Sequence, residues 1–262
     1  MSAALLAVAD LSLAYGRVPA LQHVSLSVAR GESLVIVGES GSGKSSLGLA
    51  VMRLLPPTAR LLGGSIRFLG PRGASVELTT ADAAQLQHLR GKEIGMIFQE
   101  PMTSLNPVIR IGDQIVEALR FHETLPRSRA RERAVALLTH LGVPEAVRRM
   151  EAFPHELSGG LRQRVMIAIA LVCNPSLLIA DEPTTALDVT VQAGILRLLE
   201  RLRRENDLAV ILITHDLGVM SAIADRISIF YAGRVVESGV REDVLQRPRH
   251  PYTRSLLDAL PH

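Results

Sequence analysis

One eight-residue stretch restricts the fold of this 262-residue chain more than any other: Gly38-Glu-Ser-Gly-Ser-Gly-Lys-Ser45 fits G-x-x-x-x-G-K-[ST] in full. It follows Ser33-Leu-Val-Ile-Val37, a continuous apolar run that predicts a strand buried on both faces. It precedes Ser45–Leu55, where apolar residues have helical spacing before Pro56-Pro57 stops them. Strand, glycine-rich loop and helix in that order are the context that gives the pattern meaning. The glycines let backbone N–H groups curl around phosphate oxygens, and the helix N-terminus adds positive potential. Lys44 can reach the β and γ phosphates, while the Ser45 hydroxyl can ligate Mg²⁺. Lysine is rare here: of 29 cationic residues only Lys44 and Lys92 are lysines, so one inside a glycine-rich loop is hard to dismiss as chance.

Around that anchor the chain alternates. Leu11–Tyr15, Val24–Ala29 and Ser33–Val37 read as strands, residues 58–95 as further strand and loop, and Ile94–Phe98 as an apolar strand. After Pro107, Ile111–His122 and Arg129–Leu141 carry apolar residues at three-to-four spacing with charges opposite, so the block through Pro154 reads as a helical insertion. Strands return at Leu177–Ala180, Ala209–Thr214, Ile227–Tyr231 and Arg234–Glu237, with a long helix at about Val189–Arg204 between the first two. Strand and helix alternation predicts an α/β fold with a largely parallel sheet. At 47% hydrophobic residues the chain is an ordinary globular one, and its longest apolar run, the nine residues Val165–Cys173, is too short to cross a bilayer. Met1-Ser-Ala-Ala lacks a basic region, so no secretory leader is expected. A single cysteine, Cys173, forms no internal disulfide and suits a reducing compartment. The net charge of +3 is too small to imply nucleic acid.

Two more segments carry chemistry. Leu177-Leu-Ile-Ala-Asp181-Glu182 delivers two carboxylates at the C-terminal end of a strand, where α/β sheets bind ligands. Asp181 is expected to hold Mg²⁺, mostly through its waters, and Glu182 to polarise an attacking water as general base. Leu157-Ser158-Gly-Gly160 precedes a helix at about Leu161–Leu171. Ser158 suits an N-cap there, and the hydroxyl, two glycine amides and helix N-terminus also suit a second phosphate.

The order of parts resembles the nucleotide-binding domain of ABC transporters: phosphate loop, Gln99 after an apolar strand, Leu157-Ser-Gly-Gly160, Asp181-Glu182, Ala186-Leu-Asp188 and Ile213-Thr-His215-Asp216. The likeness covers nearly the whole chain. It implies a P-loop NTPase (RecA-like) core with an N-terminal antiparallel β-subdomain and an inserted α-helical subdomain. Read as one ABC domain, 1–99 and 166–245 form the core, 100–165 the helical subdomain and 246–262 a C-terminal tail. The activity implied is hydrolysis of ATP, with Mg²⁺. Nucleotide contacts are implied for Gly38, Glu39, Ser40, Gly41, Ser42, Gly43, Lys44, Ser45 and Ser46. Tyr15 matches the aromatic that stacks on adenine. Gln99 matches a glutamine that senses Mg²⁺ and the attacking water and links to the membrane partner. His215 matches the histidine on the γ-phosphate, and Asp188 the aspartate that communicates across a dimer. In such proteins the loop at Ser158, Gly159 and Gly160 of one subunit closes on ATP held by Lys44 of the other. Leu161 stands where many members have Gln or Met, a departure close in volume and expected to matter little.

The resemblance also narrows the transporter. Gln99-Glu-Pro-Met-Thr-Ser-Leu-Asn-Pro107, Ser158-Gly-Gly-Leu-Arg-Gln-Arg164 and His250-Pro-Tyr-Thr253 are similar to the ATPases of peptide and nickel importers. Longer peptide-type members continue past this tail with an often cysteine-bearing segment that the sequence lacks, which weighs toward nickel or another solute. The expectation is the energising subunit of a bacterial importer for di- or oligopeptides, peripheral on the cytoplasmic face of the inner membrane. Its partners would be a second ATP-binding subunit, alike or related, and integral permease subunits, with an extracytoplasmic solute-binding protein acting indirectly. The rival is a permease-free ABC ATPase working on DNA, ribosomes or chromosomes. Such relatives carry paired domains, coiled-coil inserts or cysteine metal sites, so no nucleic-acid partner is expected. Arg127–Arg133 and Arg201–Arg204 read as solvated helix faces, without the interleaved aromatics of a single-strand platform.

Overall fold

A computed structural model describes residues 4–70, 73–99, 104–185, 187–216, 218 and 223–259. Its strands are β1 (Leu6–Tyr15), β2 (Val18–Val28), β3 (Ser33–Val37), β4 (Ala59–Leu69), β5 (Ser75–Glu77), β6 (Ile94–Ile97), β7 (Leu177–Asp181), β8 (Ala209–Thr214), β9 (Arg226–Tyr231) and β10 (Arg234–Val240). They form two sheets, one antiparallel in the order β2-β1-β4-β5 and one in the order β10-β9-β3-β8-β7-β6. In the second, β9, β3, β8, β7 and β6 run parallel and only the edge strand β10 is antiparallel.

The apolar run Ser33–Val37 explains the layering. Its side chains alternate between two cores: Val35 and Val37 pack with the helical block, Leu34 and Ile36 with the antiparallel sheet. Every residue of β3, β7 and β8 is buried, as expected for strands covered on both faces.

The outer strands run longer than their periodicity suggests. Asp10 and His23 both adopt left-handed backbone, at φ 53° and 54°, and the β1–β2 register shifts between Val8 and Leu11. Such bulges break the alternation, so only the halves Leu11–Tyr15 and Val24–Ala29 read as strand. Likewise the helix expected to reach Leu55 spans Lys44–Val51. Arg90 stops it early, donating from Nε to the Met52 carbonyl (2.8 Å) and from Nη2 to that of Arg53 (2.7 Å). The stretch read as strand and loop also holds a helix, Ala83–Leu89, opened by a capping box between Asp82 and Gln85.

Between β6 and β7 lie the helices Ile111–His122, Arg127–His140, Ala146–Arg149 and Gly159–Leu171. The arginine-rich face is exposed and ion-paired within this block: Arg127 with Asp113 and Arg131 with Glu151, both at 2.5 Å. Arg133 joins Glu123 at 2.6 Å and donates to the Val172 carbonyl, tying the block to the helix that feeds β7. No helix among the described residues is long and apolar enough to cross a membrane.

Candidate functional site

The C-terminal ends of β3, β7 and β8 converge, and each delivers part of one site. After β3 the chain turns through Gly38–Gly43 into the helix Lys44–Val51. Gly43 sits at φ 100°, and a Cβ on it would collide with the Ala20 carbonyl oxygen, so no other residue fits the turn. Lys44 is only 4% exposed. Its ammonium lies inside the loop, donating to the carbonyls of Gly38 (2.8 Å) and Glu39 (2.7 Å). Burial lowers its pKa, opposed by Glu182, Asp181 and Glu39. A loop that folds around its own cation in this way is ready to exchange those carbonyls for phosphate oxygens.

From β7 come the two carboxylates. Asp181 is buried and its Oδ1 accepts the Ser45 hydroxyl at 3.0 Å. Burial raises its pKa, the Ser45 hydrogen bond opposing. No group of three or more His, Cys, Asp or Glu that could hold a metal occurs among the described residues. The Ser45–Asp181 pair does fit Mg²⁺, a hard cation that takes one or two protein oxygens and completes its shell with phosphate and water.

Glu182 leaves the strand in left-handed backbone, φ 46°, with its N–H on the Ile213 carbonyl of β8 at 2.9 Å. Non-glycine residues held there cluster at functional sites. Three donors surround the carboxylate: Gln99 Nε2 and Thr185 Oγ1 on Oε2, both at 2.9 Å, and His215 Nδ1 on Oε1 at 3.1 Å. Burial pushes its pKa up, but the bonds from His215 and Thr185 with the charges of His215 and Lys44 hold it below the ordinary value. Glu182 is therefore ionised at neutral pH and aimed by its neighbours. His215 itself is largely exposed, its side chain 59% accessible.

The structure thus brings Lys44, Ser45, Asp181, Glu182, Gln99 and His215 together. Tyr15 joins at the margin, its hydroxyl donating to Ser46 Oγ at 3.2 Å. The loop residues Gly38, Glu39, Ser40, Gly41 and Ser42 bracket Lys44 on the other side. Ser158, Gly159 and Gly160 open another helix, packed toward the helix Val189–Asn206: a Cβ on Gly160 would meet Val191 Cγ1 at 2.9 Å. The Ser158 side chain makes no capping bond on the helix Gly159–Leu171, so its hydroxyl is not spent there. Asp188 does cap, accepting the Val191 N–H at 2.9 Å. Of the sequence motifs, Ala186 and the stretch 100–103 after Gln99 lie outside the described residues. Thr185 was not anticipated, although its place three residues after Glu182 was the available signal.

Comparison with known proteins identifies the family. Residues 21–185 match the family described as ABC transporter, and residues 236–262 the family described as oligopeptide/dipeptide transporter, C-terminal region. A Brucella melitensis protein named as a peptide import ATP-binding protein is 53% identical over 92% of this chain and 72% of its own length. The glutathione import ATP-binding protein of Escherichia coli is 50% identical over 98% of this chain, which spans 42% of that protein. Among solved structures, a dimeric ATP-binding cassette in a post-hydrolysis state bound to ADP and Pi aligns at TM-score 0.78 and 29% identity, covering 90% of this chain and 98% of that one. The cbiO1 protein from Clostridium perfringens, part of the ABC transporter complex cbiONQ, aligns at TM-score 0.79 and 26% identity, over 98% of this chain and 96% of its own. With a full phosphate loop, paired carboxylates at the end of β7 and a family match over more than half its length, the chain belongs to the ABC transporter family as an ATP-binding, ATP-hydrolysing cassette.

Proposed function

We propose that the chain is the ATPase subunit of an importer that takes up di- and oligopeptides. The observation that carries the solute class is the match of residues 236–262 to the oligopeptide/dipeptide transporter C-terminal region. The division proposed is a core of 1–99 and 166–245, a helical subdomain of 100–165 and a tail of 246–262. The helix Gly159–Leu171 runs through the junction and would carry movement between core and subdomain.

In this reading the amides of Gly38–Ser46 and the Lys44 ammonium hold the triphosphate, and Tyr15 stacks on adenine. Ser45 and Asp181, with Gln99 through water, would hold Mg²⁺, which when bound neutralises charge on the phosphates. Glu182 takes a proton from the water that attacks the γ-phosphorus, as the bond to ADP breaks. Gln99, Thr185 and His215 aim the carboxylate, and His215 is exposed enough to turn to the γ-phosphate. Ser158, Gly159 and Gly160 reach the triphosphate of a second subunit across a head-to-tail dimer, with Asp188 relaying between the sites. The uncommitted Ser158 hydroxyl and the dimeric state of the solved cassette that aligns with the chain support this.

Closure would pull on permease subunits through the Gln99 region. Supporting this is a groove of about 650 Å³ beside it, lined by Met96, Phe98, Asn106, Phe121 and His122, with Phe121 60% exposed. An exposed aromatic in an apolar groove suits a protein partner. The chain would sit on the cytoplasmic face of the inner membrane, and a solute-binding protein outside would deliver peptide to the permease. Uptake of labelled dipeptide, oligopeptide and nickel in cells carrying Lys44→Ala tests the proposal. Peptide uptake is expected to fall to background with nickel uptake intact, and loss of nickel uptake alone would overturn the solute class.

A further inference from the structure

The segment after β10 folds back onto the phosphate loop, and the mechanism above makes no use of it. Glu237 on β10 accepts the backbone N–H groups of Arg249 (2.8 Å) and His250 (3.0 Å), pinning the chain where the helix Pro251–Asp258 begins. His250 Nδ1 accepts the Tyr252 N–H at 3.2 Å, which fixes Tyr252 on the first turn. The Tyr252 ring lies on that of Tyr231, with centroids 4.4 Å apart. Tyr231 ends β9, and the carbonyl before it, of Phe230, backs Gly38 so closely that a Cβ on Gly38 would collide with it. The Tyr252 hydroxyl is buried and completes no hydrogen bond among the described residues. The polar groups acting on it are Glu39 of the phosphate loop, through both backbone amide and carboxylate, and the neighbouring Tyr231 phenol, while burial pushes its pKa up.

We infer that Tyr252 is a positioning residue for the phosphate loop: its ring backs the loop through Tyr231, and its hydroxyl completes a hydrogen bond to Glu39 when the loop closes on ATP. A buried hydroxyl without a partner disfavours the state that leaves it so. A loop conformation that completes the bond is favoured, and nucleotide binding and bond formation then reinforce each other. The tail helix would thereby set ATP affinity from a region far from phosphate loop in sequence. The inference rests on the assignment of Gly38–Ser45 to the phosphates.

The test is ATP titration by calorimetry, with steady-state hydrolysis and thermal melting, on the full chain and on Y252F, Y252A and K44A. One lost hydrogen bond predicts that Y252F weakens ATP binding roughly three- to tenfold. Its kcat should stay within about twofold and its melting temperature should not move. Wild-type ATP affinity in Y252F, or a loss in kcat alone, overturns the inference. Weakened binding in Y252A but not Y252F assigns the effect to the ring alone and overturns the Glu39 contact. If K44A itself binds ATP normally, the phosphate-loop assignment has failed; if only K44A loses binding, that assignment stands and the role of Tyr252 falls.

Discussion

Asp181 and Glu182 are adjacent carboxylates pushed in opposite directions by their surroundings. Asp181 is buried with one hydroxyl donor, so its ionised form is penalised and its pKa is raised. Glu182 is also desolvated, but hydrogen bonds from His215 and Thr185 with the charges of His215 and Lys44 more than offset that. Groups driven apart in this way divide roles at one site. The sign for stability follows: an acid whose folded pKa is raised destabilises the ionised native state at neutral pH. That penalty vanishes as pH falls through the raised value toward the ordinary 3.8. Asp181→Asn is therefore expected to melt higher than wild type at neutral pH. The difference should close on acidification, while hydrolysis falls at least about a hundredfold through loss of the proposed cation ligand. Calorimetric melts across pH with a phosphate-release assay check both. The residue types were legible in the sequence. The opposed shifts were not, because they depend on burial and on donors from Thr185 and His215, distant or unremarked in the chain.

At the scale of elements, the helix Val189–Asn206 connects two parts of the site. Asp188 caps its first turn, and Gln192 Nε2 donates to Asp216 Oδ2 at 2.7 Å, just past His215. Loss of the cap by Asp188→Ala is expected to cost about 1 kcal/mol, read as a lower urea midpoint with unchanged slope. If the cap also orients the dimer contact, hydrolysis falls by more than stability accounts for. This helix and the parallel strands were legible from periodicity, since both are long or fully apolar. The antiparallel strands were legible only in part, because the bulges at Asp10 and His23 shift the faces within one strand. The end of the Lys44 helix escaped for another reason: Arg90, far along the chain, caps it.

For the molecule as a whole, the proposed function needs two half-sites from one chain. Lys44 is held by its own loop, and Ser158, at the start of another helix, makes no capping bond. Completion by a second copy or a related subunit predicts that hydrolysis per chain rises with protein concentration. Glu182→Gln, lacking the proposed base, should turn over ATP about 10²–10⁴-fold more slowly and accumulate as an ATP-bound dimer in size-exclusion chromatography. A Glu182→Gln protein that stays monomeric with ATP and keeps wild-type turnover would refute both roles.

The sequence by itself determined the parallel core, the phosphate loop and the carboxylate pair, because these rest on local pattern: an apolar run, a glycine spacing, a strand end. Tertiary structure alone decided how Glu182 is held and how Arg90 ends a helix. It also decided that the Tyr252 hydroxyl comes to rest beside Glu39, more than two hundred residues away in the chain. Those outcomes depend on which distant groups share a buried space, and desolvation and hydrogen-bond partners exist only once the chain has packed.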